Sequence, residues 1–369
     1  MTHHAHSRIA VGIMTGTSLD AVDACALRLH GRGLEMTAEY LKSVSHPLAE
    51  LGEHLRSVAE DEPTPASVIA SLRRRLGERC RDAVAALRLP DEIDLIAVHG
   101  QTLHHETPDS WQLIDPFPIA QHFHTRVVSD LRGLDRAASG EGAPITPLAD
   151  WILHRTDATQ AIVNLGGFIN CTVLPSQAHE APLPAIAGFD VCPCNHLLDT
   201  IARLALEAPY DDGGRLAMSG NACLEQLQLI TAHLRSLHEQ GRSLGSNDDC
   251  IEFVPDILQS IGPADAAATF CAAIAATLAS ALAAHPADVV RLAGGGVRNT
   301  ALVNAIKAAF GDRVPVEPLA HGDEREAAAL AVLGALAADD VPITLPQVTG
   351  RENTHARDGT WVLAHNVRN

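Results

Sequence analysis

One local pattern, a β-strand, a tight glycine turn and a returning strand, occurs twice in the chain, and this repetition constrains the fold more than any other feature. Ile9-Ala-Val-Gly-Ile-Met14 reads as a strand, Thr15-Gly-Thr-Ser18 as a turn, and Ala24-Cys-Ala-Leu-Arg-Leu29 as the second strand. Near the middle, Ala161-Ile-Val-Asn-Leu165, Gly166-Gly167 and Phe168-Ile-Asn-Cys-Thr-Val-Leu174 repeat it. Thr37 to Ser45 extends the first hairpin, and helical spacing broken at Pro63 and Pro65 follows from Leu48 to Leu89. A short buried strand, Ile93 to Val98, then ends in His99-Gly-Gln-Thr102.

The second hairpin is likewise followed by helices, around Asn195 to Leu206 and Asn221 to His238. The second half closes with a strand Asp288 to Leu292, a Gly294-Gly-Gly296 turn, a helix from Asn299 and a long helix from Glu324 to Ala338. Two halves built this way suggest an internally duplicated α/β unit. A chain of 369 residues suits two domains. The loop Ser139-Gly-Glu-Gly-Ala-Pro144 marks their boundary, giving a first domain of 1–145 with 345–369 crossing back to it, and a second of 146–344.

Charge narrows the partners. Against 45 Asp+Glu stand 27 Lys+Arg, a net charge of −18, which argues against nucleic acid or an anionic membrane surface as the main partner. Lys42 and Lys307 are the chain's two lysines and neither follows a glycine-rich turn, so a P-loop nucleotidase and a protein kinase built on a strand lysine are both excluded. The eight cysteines are scattered, and Ile9 to Met14 is too short for a signal-peptide core, so a reduced, cytoplasmic setting is expected. Ala266 to Ala284 is uncharged but mostly alanine, with Thr269, Thr277 and Ser280, and reads as a buried helix rather than a membrane span.

The most informative segment is Gly12-Ile-Met-Thr-Gly-Thr-Ser-Leu-Asp20-Ala-Val-Asp23. A glycine-bracketed turn rich in Thr and Ser directs backbone N–H groups and hydroxyls to one point, which holds an anion without a lysine. Asp20 and Asp23 would repel that anion unless a divalent cation lay between them, and Mg²⁺ bound through carboxylates and phosphate oxygens meets the need. A polar hairpin turn with surface aspartates is the alternative reading of this segment alone. Asn164-Leu-Gly-Gly167 and Gly294-Gly-Gly-Val-Arg-Asn299 add two more strand-to-turn glycine sites. Three such sites are better explained by a nucleotide cleft between two domains than by separate accidents.

With those segments, His99-Gly-Gln-Thr102, Asp130-Leu-Arg132, Gly140-Glu-Gly-Ala-Pro144, Gly188-Phe-Asp190 with Pro193 and Asn195, and Glu326-Ala, the chain resembles the anhydro-N-acetylmuramic acid kinases from residue 9 to about residue 350. The resemblance implies a two-domain actin-like (ribonuclease H-like) ATPase fold with an interdomain cleft, ATP and Mg²⁺, a homodimer, and a small amino-sugar substrate in muropeptide recycling. In that family ATP phosphorylates O6 of 1,6-anhydro-N-acetylmuramate while water opens the ring at C1.

By the same resemblance Asp190 is the base for that water. The cofactor residues are Gly16, Thr17, Ser18, Leu19, Asp20, Ala21, Val22 and Asp23, then Gly166, Gly167, Gly294, Gly295, Gly296 and Asn299, with Asp20 and Asp23 on the metal. Gln101, Thr102, Arg132 and Glu326 fall at sugar positions. Read without the resemblance, Asp190 on a short loop is a helix cap, Glu326 a first-turn carboxylate favoured by the helix dipole, Arg132 a surface charge, and His99, His104 and His105 ordinary hydrogen-bonding groups.

Departures from the family pattern are Thr15 for serine, Ala21 for glycine, and Cys192 and Cys194 for glycines. The two cysteines are expected to reshape the Asp190 loop by adopting positive φ at a cost of about 1–2 kcal/mol each. Cys-Pro-Cys also admits a metal or redox reading. A kinase of another amino sugar and a non-catalytic ATP-binding regulator are the alternative functions.

Overall fold

The computed structural model describes residues 7–16, 19–106, 109–242, 244–245, 248–353 and 356–363. Thr17 and Ser18, two of the expected cofactor residues, lie outside them. The chain divides into two compact units, Met1–His154 with Glu324–Asn369, and Arg155–Asp323.

Unit 1 is built on a six-stranded sheet. Its strands are β1 (Ser7–Thr15), β2 (Ala21–His30), β3 (Thr37–Pro47), β4 (Leu95–Val98), β7 (Arg126–Ser129) and β13 (Thr360–Val362), in the order β13-β7-β4-β1-β2-β3. The first three strands form an antiparallel meander, β4 and β7 add parallel to β1, and β13 closes the edge antiparallel to β7. A separate two-stranded ribbon pairs β5 (Gln101–Glu106) with β6 (Asp109–Leu113). Helices Glu50–Ala59 and Ala66–Ala86 cover one face, burying Leu51, Leu55, Leu72, Leu76 and Cys80 against Val11, Ile13, Ile96 and Val98.

Helix Arg325–Ala338 also belongs to this unit, packing on β1, β2 and β4. It approaches closer than side chains normally permit: a Cβ on Gly12 would fall 1.8 Å from the Ala327 carbonyl oxygen, and one on Gly334 would fall 2.6 Å from Ala97 Cβ. An alanine-rich helix on a glycine-bearing strand makes that approach possible.

Unit 2 repeats the plan. Its strands β8 (Gln160–Leu165), β9 (Phe168–Leu174), β10 (Ala187–Pro193), β11 (Val289–Ala293) and β12 (Val316–Pro318) lie in the order β10-β9-β8-β11-β12. Again the first three are antiparallel and the next two parallel to the first. The shared order and sense of five strands bears out the internal duplication read from the two hairpins. Helix Pro263–Leu282 has the length and composition of a membrane span, yet 67% of its most apolar window is buried inside the unit, where Phe270, Ile274 and Leu278 meet the sheet core. It is the core helix expected.

Two expectations are corrected. The division falls after His154 and after Asp323, not near residues 145 and 344. Asp150 of helix Pro147–His154 forms a two-point ion pair with Arg325 (Nε–Oδ1 2.9 Å, Nη2–Oδ2 2.5 Å), with both side chains buried, which fastens that helix and the 325–338 helix into unit 1. Asp190 is not on a loop but inside β10, opposite Asn170 of β9. Glycine, aspartate, cysteine and proline in Ala187–Pro193 look like a turn, and only pairing with β9 makes them a strand.

Candidate active site

In unit 2 the glycine turns sit at the carboxyl ends of adjacent parallel strands β8 and β11, the edge of an open α/β sheet where ligands bind. The Gly166–Gly167 turn is fixed by the start of helix Asn195–Leu206. Cys194 N–H donates to Gly167 O (2.7 Å), Asn195 N–H to Gly166 O (3.1 Å), and Asn195 Nδ2 to Leu165 O (3.1 Å). A Cβ on Gly167 would lie 2.3 Å from His196 Nε2, so any side chain there must displace the ring on which the turn rests.

The second turn enters at Gly294 with φ +83°, and a Cβ there would fall 2.6 Å from Asn164 Oδ1. Gly296 packs on Leu165, while Gly295 is exposed with bare backbone. The structure thus brings Gly166, Gly167, Gly294, Gly295 and Gly296 together, with Asn195 between the two turns. Asn195 belongs to a sequence motif but carries no expected site role, and its place between the turns is a tertiary fact. Asn299 has a structural role of its own, since its Oδ1 caps helix Thr300–Phe310 by accepting Leu302 N–H (3.0 Å).

Asp190 lies beside a register shift in the β9–β10 pairing, between Asp190 and Cys192. Bulges of this kind re-aim side chains and recur next to active sites. Its Oδ2 accepts Leu244 N–H (2.9 Å), and its carbonyl accepts His238 Nδ1–H (2.9 Å). The helix that follows begins at Asn195 with Cys194 as its N-cap and no side-chain cap, so Asp190 is not a helix cap.

In unit 1 the β1–β2 turn is closed by Leu19 N–H on Gly16 O (3.2 Å). Leu19 and Val22 bury their side chains in the core, so they offer the turn only backbone. Ala21 begins β2 half-buried, and Asp20 stands exposed just before it. Asp23 faces Met14 across the hairpin. Its charge reaches Glu326, at the first turn of the 325–338 helix. Glu326 is raised above the usual carboxylate range, first by burial and further by Asp23 and Asp150, with Arg325 and Arg132 opposing. The charges of Asp23 and Arg132 thus both act on Glu326.

Arg132 is held at two points, donating Nε–H to His99 Nε2 (2.8 Å) and Nη1–H to Gly142 O (2.9 Å). It is not a loose surface charge. His99 donates Nδ1–H to Gly100 O (2.9 Å), which fixes its neutral tautomer, and burial together with the Arg132 charge pushes it down to about 3. The Gly142 loop is in turn held by the buried Asp135 carboxylate, which accepts Gly142 N–H (2.7 Å), the Thr349 hydroxyl (2.8 Å) and the Thr344 hydroxyl. Gln101 is buried at 2% exposure, and its Oε1 has no hydrogen-bond partner among the described residues. A buried acceptor left unpaired calls for a donor, such as a ligand hydroxyl. Thr102, next along β5, is half-buried near Gln112 Nε2 (3.5 Å).

A family model described as Anhydro-N-acetylmuramic acid kinase matches residues 8–359. The chain belongs to the anhydro-N-acetylmuramic acid kinase family. Among curated relatives it is 33% identical to the Anhydro-N-acetylmuramic acid kinase of Salinibacter ruber over 94% of both chains. It is 28% identical to that of Bacillus thuringiensis subsp. konkukian, over 93% of this chain and 96% of the relative. Similar solved structures include an activator of 2-hydroxyisocaproyl-CoA dehydratase from Clostridium difficile (15% identity, 90% and 94% of the two chains, TM-score 0.43). A ROK family glucokinase from Streptomyces griseus is another (12%, 88% and 99%, TM-score 0.39).

For a member of the anhydro-N-acetylmuramic acid kinase family, the cysteines at 192 and 194 prove undemanding. Neither adopts positive φ, and Cys194 sits at φ −132°, so the expected strain is absent. Both thiols are fully buried, pushed up by burial, and packed as small apolar groups in the unit 2 core. Among the described residues no group of three His, Cys, Asp or Glu side chains is placed to hold a metal. Mg²⁺ does not need one, since one or two carboxylates with phosphate oxygens suffice.

Proposed function

We propose that this protein uses ATP to phosphorylate 1,6-anhydro-N-acetylmuramic acid at O6 while water opens the anhydro ring, giving N-acetylmuramic acid 6-phosphate and ADP. The observation that carries the reading is family membership across residues 8–359. Asp190 takes a proton from water as its oxygen bonds to C1. The C1–O6 bond breaks, and O6 bonds to the γ-phosphorus as ADP leaves. Arg132, fixed by His99 and Gly142, forks onto the lactyl carboxylate. The unpaired Gln101 Oε1 accepts a sugar hydroxyl, with Thr102 beside it and Glu326 accepting another.

The backbone of Gly16–Asp23 and of Gly166 and Gly167 receives phosphate, and Gly294–Gly296 with Asn299 lie along the nucleoside. Asp23 and Asp20 would hold Mg²⁺, which neutralises charge developing on the phosphate oxygens. The protein works in the cytoplasm, as a homodimer, in muropeptide recycling.

Asp190→Asn tests the assignment, because the amide oxygen can still accept Leu244 N–H. Turnover in a coupled ATPase assay with anhydro-muramic acid is expected to fall about 10²–10⁴-fold with ATP binding intact. Wild-type turnover in this variant would remove Asp190 from the mechanism.

A further inference from the structure

Aromatic side chains are scarce in this chain, 7 Phe, 2 Tyr and 3 Trp in 369 residues. Yet Trp111, Phe117 and Trp361 line a single cavity of about 320 Å³ in unit 1. Trp111, on β6, is 46% exposed and Phe117 61% exposed. Trp361, on β13, is held in place by Nε1–H donation to Asp358 O (3.0 Å) and by the Arg357 guanidinium 5.8 Å from its ring centre.

Exposed aromatic faces gathered on one cavity in an aromatic-poor protein mark a ligand surface rather than chance. Arg73 and Arg136 line the same cavity. Arg73 is tethered by Nε–H donation to Ile114 O (2.8 Å) and by a long ion pair from Nη2 to Asp115 Oδ1 (3.7 Å), while its side chain stays 47% exposed and its other N–H groups face outward for a ligand. Gln112, also on the wall, has a buried Oε1 without a hydrogen-bond partner among the described residues, although its Nε2 donates to Ser110 Oγ (2.7 Å). The one lining carboxylate, Asp130, lies folded against Gly133.

These groups specify a ligand class. Aromatic faces stack on the C–H face of a sugar ring, guanidinium forks take a carboxylate, and the unpaired acceptor takes a hydroxyl or amide hydrogen. The volume is at the small end for ligand sites, enough for one ring with a short substituent. We propose that this cavity binds a carboxylate-bearing saccharide at a site separate from the catalytic one. None of Gln101, Thr102, Arg132, Glu326 or Asp190 lines it, and it touches that set only where Gln112 of its wall comes within 3.5 Å of Thr102 Oγ1. The inference does not rest on the catalytic reading.

Intrinsic tryptophan fluorescence reads the cavity directly, since the third tryptophan, Trp151, is buried at 5% exposure. The full chain is titrated with N-acetylmuramic acid and with N-acetylglucosamine, which lacks the lactyl carboxylate, and saturation-transfer NMR on each sugar provides a second readout. Saturable binding of N-acetylmuramic acid is expected, at least ten-fold tighter than N-acetylglucosamine. It should weaken ten-fold or more in Trp111→Ala and in Arg73→Ala, both at exposed positions, with circular dichroism unchanged. It should persist in Arg132→Ala. No saturable binding, equal affinity for the two sugars, or loss in Arg132→Ala with retention in Trp111→Ala would each overturn the proposal.

Discussion

Replacing Asp150 with alanine isolates the interaction that sets the unit boundary. Arg325 is 2% exposed and Asp150 0%, and their two hydrogen bonds join residues 175 apart in sequence. Removing the carboxylate leaves a guanidinium deep in unit 1 whose remaining hydrogen-bond contact among the described residues is the Thr146 hydroxyl at 3.5 Å. Breaking a buried pair from one side costs about 3–5 kcal/mol, far more than a surface pair, because the remaining charge keeps its desolvation penalty. For a unit of roughly 200 residues each kcal/mol moves the transition by about 2–4 °C, so the Tm of unit 1 should fall by about 6–20 °C. Differential scanning calorimetry can resolve the transition of unit 1 from that of unit 2. The double variant Asp150→Leu with Arg325→Met removes both charges and should recover most of the loss, since apolar replacement of a buried pair is often near neutral. A single variant losing less than about 1 kcal/mol, or a double variant worse than the single, would refute the reasoning.

Two further outcomes follow from the sites. His99 is held neutral, with its pKa down at about 3 against an ordinary 6.5, so the unfolded chain binds a proton that the fold does not. Its contribution to stability is present above pH 6.5 and is lost as pH falls from there toward 3; His99→Gln, which keeps an acceptor for Arg132, should flatten the dependence of urea midpoints on pH between about 7 and 5. Gly167→Ala would place a Cβ 2.3 Å from His196 Nε2, so it should cost about 1–3 kcal/mol in chemical denaturation and raise the KM for ATP if the turn holds phosphate.

Much of the fold was legible because short-range signals agree with it. Apolar strands around glycine turns at 9–29 and 161–174 became the two hairpins, and Pro63 and Pro65 did separate two helices. What escaped the sequence depends on contacts distant along the chain. Ala187–Pro193 carries turn-forming residues and becomes a strand only through β9. The 325–338 helix looks like part of the second half until Asp150 and Gly12 show where it packs. For the site, residue types and motifs indicated Arg132 and Gln101. Their decisive properties, the His99 and Gly142 anchors and the unpaired Oε1, are tertiary facts. The cost anticipated for Cys192 and Cys194 was an inference about backbone angles that a strand and a helix start do not require.

The central claim, coupled phosphorylation and hydrolytic ring opening, is tested most directly by product mass in oxygen-18-labelled water. Incubation of the enzyme with ATP and 1,6-anhydro-N-acetylmuramic acid should yield a sugar heavier than its substrate by one phosphoryl group and one water, with the label at C1. A phosphorylated product that keeps its anhydro ring and carries no label, or no sugar-dependent ATP consumption at all, would contradict it.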